Sequence, residues 1–231
     1  MKMDLTRKEI GATLERLKQH SVNVESSFDD VIEKRLEATA KQDWLIRQSG
    51  IRNKFLDVDF DSYEFSSEAQ RAAFETVREY ASMKGSLIVL LYGKSGTGKT
   101  MLASCAVKQQ RGFYSTYEWL AIRIRSSYSR VSAETEAGIL KQVTTAPLLV
   151  LDEIDKGTNT DAKKDLISFV CRERYENELP TWLVGNLTWE WAKQNIDSSV
   201  LDRCKEGGKS ILCDWESYRN TLRTGGGKNV L

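Results

Sequence analysis

LIVLLYGKSGTGKT, Leu87 to Thr100, couples a short apolar run to a glycine-rich loop that closes on Lys-Thr. From Gly93 to Thr100 the spacing is G-x-x-x-x-G-K-[ST], that of a phosphate-binding loop. A triphosphate needs many inward N–H donors, and only backbone with little side-chain bulk wraps it that closely. Gly93, Gly96 and Gly98 supply the freedom. A helix expected from about Lys99 sets its positive N-terminal end against the phosphates. Lys99 would reach the β and γ oxygens, and the Thr100 hydroxyl would sit on Mg²⁺. Lys94, Ser95, Thr97 and Met101 complete the stretch expected to touch ATP. A chance glycine turn would leave the strand pattern before the loop and the helix pattern after it unexplained.

Downstream, LLVLDEID (148–155) follows Pro147. Four consecutive apolar residues suit a central parallel strand buried on both faces. Its C-terminal end is where ligands bind in open α/β sheets, and it delivers two carboxylates there. Asp152 would hold Mg²⁺ directly or through its water, and Glu153 would polarise the attacking water. Asp155 could support the two acids from behind, though an exposed turn residue suits it better. A helix is expected over Asp161–Tyr175, then a strand, TWLVGN, introduced by Pro180 and ending at Asn186 beside the γ-phosphate position. Asn186 could orient the water, or could be an ordinary turn residue. VLDR (200–203) precedes Gly207–Gly208, which turn into a last short strand.

The 231 residues suit one α/β domain with a small extension. Net charge is +1, so any basic surface must be local. Four cysteines without C-x-x-C spacing and a single histidine, His20, argue against a zinc site and for free thiols in a reducing, cytoplasmic setting. No apolar run approaches a membrane span, so no membrane partner is expected.

Residues 1–48 read as two amphipathic helices. Leu5, Ile10, Leu14 and Leu17 line the first; Val31, Ile32, Leu36, Ala40 and Trp44 line the second. Short helices bury little unless something covers their apolar stripes, so a partner-docking region and a pair of solvated helices both fit. Residues 49–66 read as an aromatic, Asp-rich connector, and 67–231 as the nucleotide-binding domain. Ser66 or Ser67 caps a helix whose inner face carries Ala73, Phe74, Val77 and Tyr80. In YEWLAIRIRSSYSR (117–130), Trp119, Leu120 and Ile124 are assigned to the core. Arg123, Arg125, Tyr128 and Arg130, with Arg111, are then left outward. Arginines interleaved with an aromatic suit single-stranded nucleic acid, though a charged outer helix face explains the same residues.

With these residues in view, the chain resembles the DnaC-type bacterial and phage helicase loaders. They are a branch of the AAA+ ATPases that includes the IstB-like transposition ATPases. SGIR (49–52), FDSY (60–63), GKSGTGKT, LLVLDEID, VGNLT (184–188), LDR (201–203) and WESYR (215–219) carry the resemblance. It implies an AAA+ P-loop NTPase fold, a parallel central sheet flanked by helices and preceded by a small helical region. It also implies Asn186 as the sensor-1 residue, Arg203 as an arginine finger serving a neighbouring subunit, and Arg219 as the sensor-2 arginine. The segment after Trp119 falls where the family contacts single-stranded DNA. Residues 1–48 fall where it docks on a hexameric, DnaB-like replicative helicase, on which the ATPase domains would self-associate. ATP hydrolysis, weak in the isolated protein, would control loading and release. An IstB-like regulator of a transposase is the alternative within the branch. A small-molecule phosphotransferase and a binding module with a degenerate site fit less well, because the acid pair, Asn186 and Arg203 are all present.

Overall fold

A computed structural model describes residues 46, 48–63 and 65–218. The helical region expected over residues 1–48, apart from positions 46 and 48, lies outside the described residues, as do Arg219 and the tail. The elements are α1 (Glu68–Ser82), β1 (Ile88–Gly93), α2 (Lys99–Gln110), β2 (Phe113–Thr116), α3 (Tyr117–Ser127) and α4 (Glu136–Thr145). They continue as β3 (Leu149–Asp152), α5 (Asp161–Glu176), β4 (Thr181–Gly185), α6 (Trp189–Asn195), α7 (Ser198–Glu206) and β5 (Lys209–Cys213). The sheet is parallel throughout, in the order β2-β3-β4-β1-β5.

Local chemistry starts most of these helices. Ser67, Thr116, Thr135, Thr160, Thr188 and Asp197 each accept a first-turn N–H with a side-chain oxygen. Ser67 is thus the cap of α1, while Ser66 hydrogen-bonds Gln70. The strands alternate between two cores, one on each face of the sheet. Ile88, Leu90, Leu149, Leu151 and Leu183 meet α3 to α7 on one side. Val89, Leu91, Val150, Trp182 and Val184 meet α1, α2 and the segment from Ile51 to Phe65 on the other. Asp152 follows Val150 by two residues and so falls on the α2 face.

Residues 49–63 lie on this second core through specific bonds. Tyr114 N–H donates to the Ser49 carbonyl (2.7 Å), and Lys108 Nζ donates to the carbonyls of Leu56 (3.1 Å) and Val58. Tyr63, Phe65 and Phe74 form an aromatic cluster with centroid spacings of 4.8–5.5 Å. Helices α4, α6 and α7 had no counterpart in the sequence reading. The helix α4 has a short apolar stripe, and only Ile139 and Val143 are fully buried.

Candidate functional site

The phosphate loop leaves β1 at Gly93 and enters α2 at Lys99. Gly93 has φ 125°, and a β-carbon there would stand 2.3 Å from the Cys213 carbonyl oxygen. Gly96 has φ 81°, and a β-carbon would stand 1.9 Å from Ser217 Oγ. Both therefore have to be glycine. The N-cap of α2 is Gly98, with φ 91° and no side-chain cap, so the first-turn N–H groups of this helix are spared for an anion. Lys99 is buried and turned into the loop. Its Nζ donates to the carbonyls of Gly93 (3.1 Å) and Lys94 and to Thr97 Oγ1 (3.3 Å). Burial pushes its pKa below the usual lysine value. Thr97 is buried, and Met101 is half-buried on the first turn of α2. Ser95 and Lys94 are exposed, with Lys94 Nζ 2.7 Å from Asp214.

The outer side of the loop is braced by residues to which the sequence reading gave no role. Tyr63 Oη (3.2 Å) and Trp215 Nε1 (3.1 Å) both donate to the Thr97 carbonyl, and Tyr218 N–H donates to the Gly96 carbonyl (3.0 Å). A signal existed. Tyr63 lies in FDSY and Trp215 in WESYR, two of the stretches that carried the resemblance.

The two acids stand beside the loop. Thr100 Oγ1 donates to Asp152 Oδ2 at 2.8 Å. Asp152 is 2% exposed, and its Oδ1 accepts the Glu153 backbone N–H at 2.6 Å. Burial raises its pKa, opposed by hydrogen bonds from Thr100, Tyr114 and the Glu153 N–H. Hydroxyl and carboxylate are hard oxygen donors of the type Mg²⁺ takes, with phosphate and water left to complete its shell. Glu153 sits at φ 55°, a left-handed backbone that costs a non-glycine residue about 1 kcal/mol or more. Its Oε1 accepts from Arg52 Nη2 at 2.8 Å, with the two side chains 30% and 42% exposed. Arg52 belongs to SGIR, which explains why that stretch accompanies an acid pair a hundred residues later.

Asn186 is exposed one residue past β4. Because β4 lies between β1 and β3, Asn186 comes off the strand between the loop and the acids. Its backbone N–H donates to Asp155 Oδ1 at 2.9 Å. Asp155 is therefore not the exposed turn residue expected. Its side chain is only 10% exposed, because it ties the end of β3 to the end of β4. Arg203 is on α7, with its guanidinium 5.0 Å over the Tyr175 ring and 3.6 Å from Glu176. Tyr175 and Glu176 end α5, which begins after the C-terminal end of β3 and runs back to the end of the sheet where β1 and β4 start. Arg203 thus lies at the end of its own molecule remote from the phosphate loop.

The basic helix α3 corrects two assignments. Trp119 is 57% exposed rather than buried. The inner stripe is Tyr117, Leu120 and Ile124, and Trp119 falls about 100° around the helix from Leu120. Arg123 is not outward. Its side chain is 14% exposed and bonded to Glu134 (3.0 Å) and Gln142 (2.9 Å), because the chain after α3 folds back over it into α4. Arg125, Tyr128 and Arg130 are exposed, as are Arg111, Ile122 and Val131. A cleft of about 510 Å³ lies at the foot of this helix, lined by Gly50, Arg52, Tyr114, Thr116, Trp119 and Arg123 among others.

All four cysteines are free and buried. Among the described residues no helix is long and apolar enough to cross a membrane, and no cluster of three His, Cys, Asp or Glu could hold a metal.

Comparison with known proteins follows the same lines. Over 191 residues the chain is 27% identical to the replicative helicase loader DnaC of Buchnera aphidicola subsp. Acyrthosiphon pisum (strain APS), covering 79% of this chain and 78% of that protein. It is 27% identical over 183 residues to the replicative helicase loader DnaC of Escherichia coli (strain K12), covering 76% and 74%. A crystal structure of the DnaC helicase loader has the same fold. Its TM-score is 0.60 at 21% identity, over 70% of this chain and 99% of that one. Residues 89–206 match the family described as ATPase family associated with various cellular activities, AAA. That span runs from β1 to the end of α7 and holds the loop, both acids, Asn186 and Arg203 together, and the chain belongs to this AAA family of ATPases.

Proposed function

We propose that this chain is an ATP-dependent loader of a ring-shaped replicative DNA helicase, working in the cytoplasm. The observation that carries the ATPase half of the reading is the hydrogen bond between Thr100 and Asp152 beside the phosphate loop. The loader half is supported by likeness to replicative helicase loaders over three quarters of the chain. Residues 93–101 would receive the triphosphate. Lys99 would exchange its carbonyl partners for β and γ oxygens, and the free N–H groups at the start of α2 would meet the remaining charge. Thr100 and Asp152 would hold Mg²⁺, which when bound neutralises charge on the phosphoryl oxygens. Glu153 would accept a proton from water at Oε2, since Arg52 takes Oε1, and Asn186 would hold that water by its side-chain amide. Arg219, if it acts as a nucleotide sensor, does so from outside the described residues.

Arg203 cannot reach the loop of its own molecule, which supports its acting on a neighbour in a head-to-tail assembly on the helicase. Arg203→Ala should spare nucleotide binding while lowering helicase-stimulated turnover about 1,000-fold, the lower end of the range seen when a finger is lost. Mixed one to one with Glu153→Gln, it should recover roughly a quarter of wild-type turnover, because a quarter of random head-to-tail interfaces pair an intact Glu153 with an intact Arg203. No recovery at any ratio would rule out a finger supplied in trans.

Single-stranded DNA would run along the outer face of α3. Trp119 and Tyr128 offer stacking surfaces there, and Arg125 and Arg130 offer phosphate partners. Arg123, already paired, drops out of this set. The loader reading is tested by co-purification with the replicative helicase of the same cell. The full chain with ATP should elute with the hexamer, and residues 49–231 alone should not. Separate elution of the full chain with ATP present would refute the reading.

A further inference from the structure

Tyr114 has no part in the chemistry above, yet its one polar side-chain atom is committed to it. Tyr114 Oη donates to Asp152 Oδ2 at 2.8 Å, the same oxygen that accepts from Thr100 Oγ1. The ring is 3% exposed, and burial beside the Asp152 charge pushes the phenol pKa far up. Asp152 is thus gripped from three directions: by β2 through Tyr114, by α2 through Thr100, and by its own backbone through the Glu153 N–H.

β2 is an edge strand of the five, and Tyr114 is fixed on it from the far side. Its N–H donates to the Ser49 carbonyl (2.7 Å), and its carbonyl oxygen lies where a β-carbon on Gly50 would stand, 2.1 Å away. Ser49, Gly50 and Arg52 belong to one short segment, so that segment reaches both acids, Glu153 through Arg52 and Asp152 through Tyr114. A carboxylate has two torsions to fix before both of its oxygens point correctly. Thr100 alone cannot fix them, because its hydroxyl would itself turn to the Mg²⁺.

We propose that Tyr114 is the positioning residue for Asp152, holding the carboxylate in the orientation that takes a divalent cation. The proposal rests on the reading that Thr100 and Asp152 hold Mg²⁺. Partners that orient a ligating group in this way typically contribute ten- to a hundred-fold to metal affinity. Tyr114→Phe removes the donor and keeps the ring.

The test follows binding of a fluorescent N-methylanthraniloyl-ATP to the full-length protein while Mg²⁺ is titrated, with Asp152→Asn and Ser115→Ala in parallel. Ser115 is a buried hydroxyl on the other face of the same strand, bonded among the described residues only to the Thr116 carbonyl. Tyr114→Phe should raise the Mg²⁺ concentration at half-saturation about tenfold. Its affinity for the nucleotide in EDTA should match wild type, and Ser115→Ala should behave as wild type throughout. A folded Tyr114→Phe protein, judged by cooperative thermal unfolding, with an unchanged Mg²⁺ midpoint would overturn the role of Tyr114 if Asp152→Asn moves that midpoint. An unchanged midpoint in Asp152→Asn as well would remove the metal reading itself, and Tyr114's role with it. An equal loss of affinity with and without Mg²⁺ would assign Tyr114 to fold support alone and would also overturn the proposal.

Discussion

Lys99→Met should weaken ATP binding about 100-fold, the equivalent of roughly 3 kcal/mol for the loss of charge-assisted hydrogen bonds to two phosphoryl groups. The size follows from where the ammonium sits. It lies inside the loop, buried, with three oxygens of the loop as partners and its pKa depressed by burial. A cation held there has already lost much of its water, so phosphate oxygens replace poor partners with better ones rather than competing with full solvation. Methionine keeps the stem that packs between β1 and α2 and removes only the charge. Folding stability should therefore change little, and thermal unfolding without nucleotide serves as the control. Fluorescence titration with labelled ATP reads the affinity. Wild-type affinity in the Met variant would mean that the loop does not cradle a triphosphate.

The second large effect concerns folding. Arg174 is fully buried on the inner face of α5, and burial lowers its pKa to about 10, so it remains charged at neutral pH. Its guanidinium bonds Thr181 Oγ1 (2.9 Å) and the carbonyls of Val143 (2.8 Å) and Pro180 (2.6 Å), joining α4, α5 and the start of β4. Burying the charge is costly. Taking the side chain away, however, strands the Val143 carbonyl in the core at about 1–3 kcal/mol, leaves the Pro180 carbonyl with the Leu149 N–H alone, and opens a cavity. Arg174→Ala should destabilise the protein by about 3–5 kcal/mol, read as a lower urea midpoint. Arg174→Met, which fills the space without donors, should recover only part of this. A Met variant more stable than wild type would show that the desolvation cost outweighs the hydrogen bonds. Nucleotide affinity per folded molecule should be unchanged in both, because Arg174 lies at the end of α5 away from the loop.

Arg174 also shows where reading the sequence stops. DAKKDLISFVCRERYE has charged residues throughout, and the helix is legible from its cap at Thr160 and its apolar positions. Which arginine turns inward is not legible, because that depends on two carbonyls supplied by other elements. Arg123 and Trp119 changed places for a similar reason. On the helix taken alone, an arginine belongs outside and a tryptophan inside. The return of the chain through Glu134 and Gln142 gave the arginine partners, while Leu120 and Ile124 filled the inner stripe. For Asp155, local sequence favours an exposed turn over a supporting role, and only the end of β4 supplies the N–H that turns it inward.

The amino-acid sequence by itself determined the parts built from neighbouring residues. These are the glycine loop with its strand and helix, the buried strand that ends in Asp152 and Glu153, the capped helices, and the membership that those motifs announce. Such features follow from backbone freedom, side-chain periodicity and capping, each satisfied within a few residues. Tertiary structure alone decided which distant groups meet: Tyr114 and Thr100 on Asp152, Arg52 on Glu153, Tyr63 and Trp215 on the outside of the loop. Those meetings follow from the strand order, which places β4 between the loop strand and the acid strand and β2 at the edge where Ser49 binds. Strand order results from the packing of both cores at once, and no short stretch of the chain encodes it.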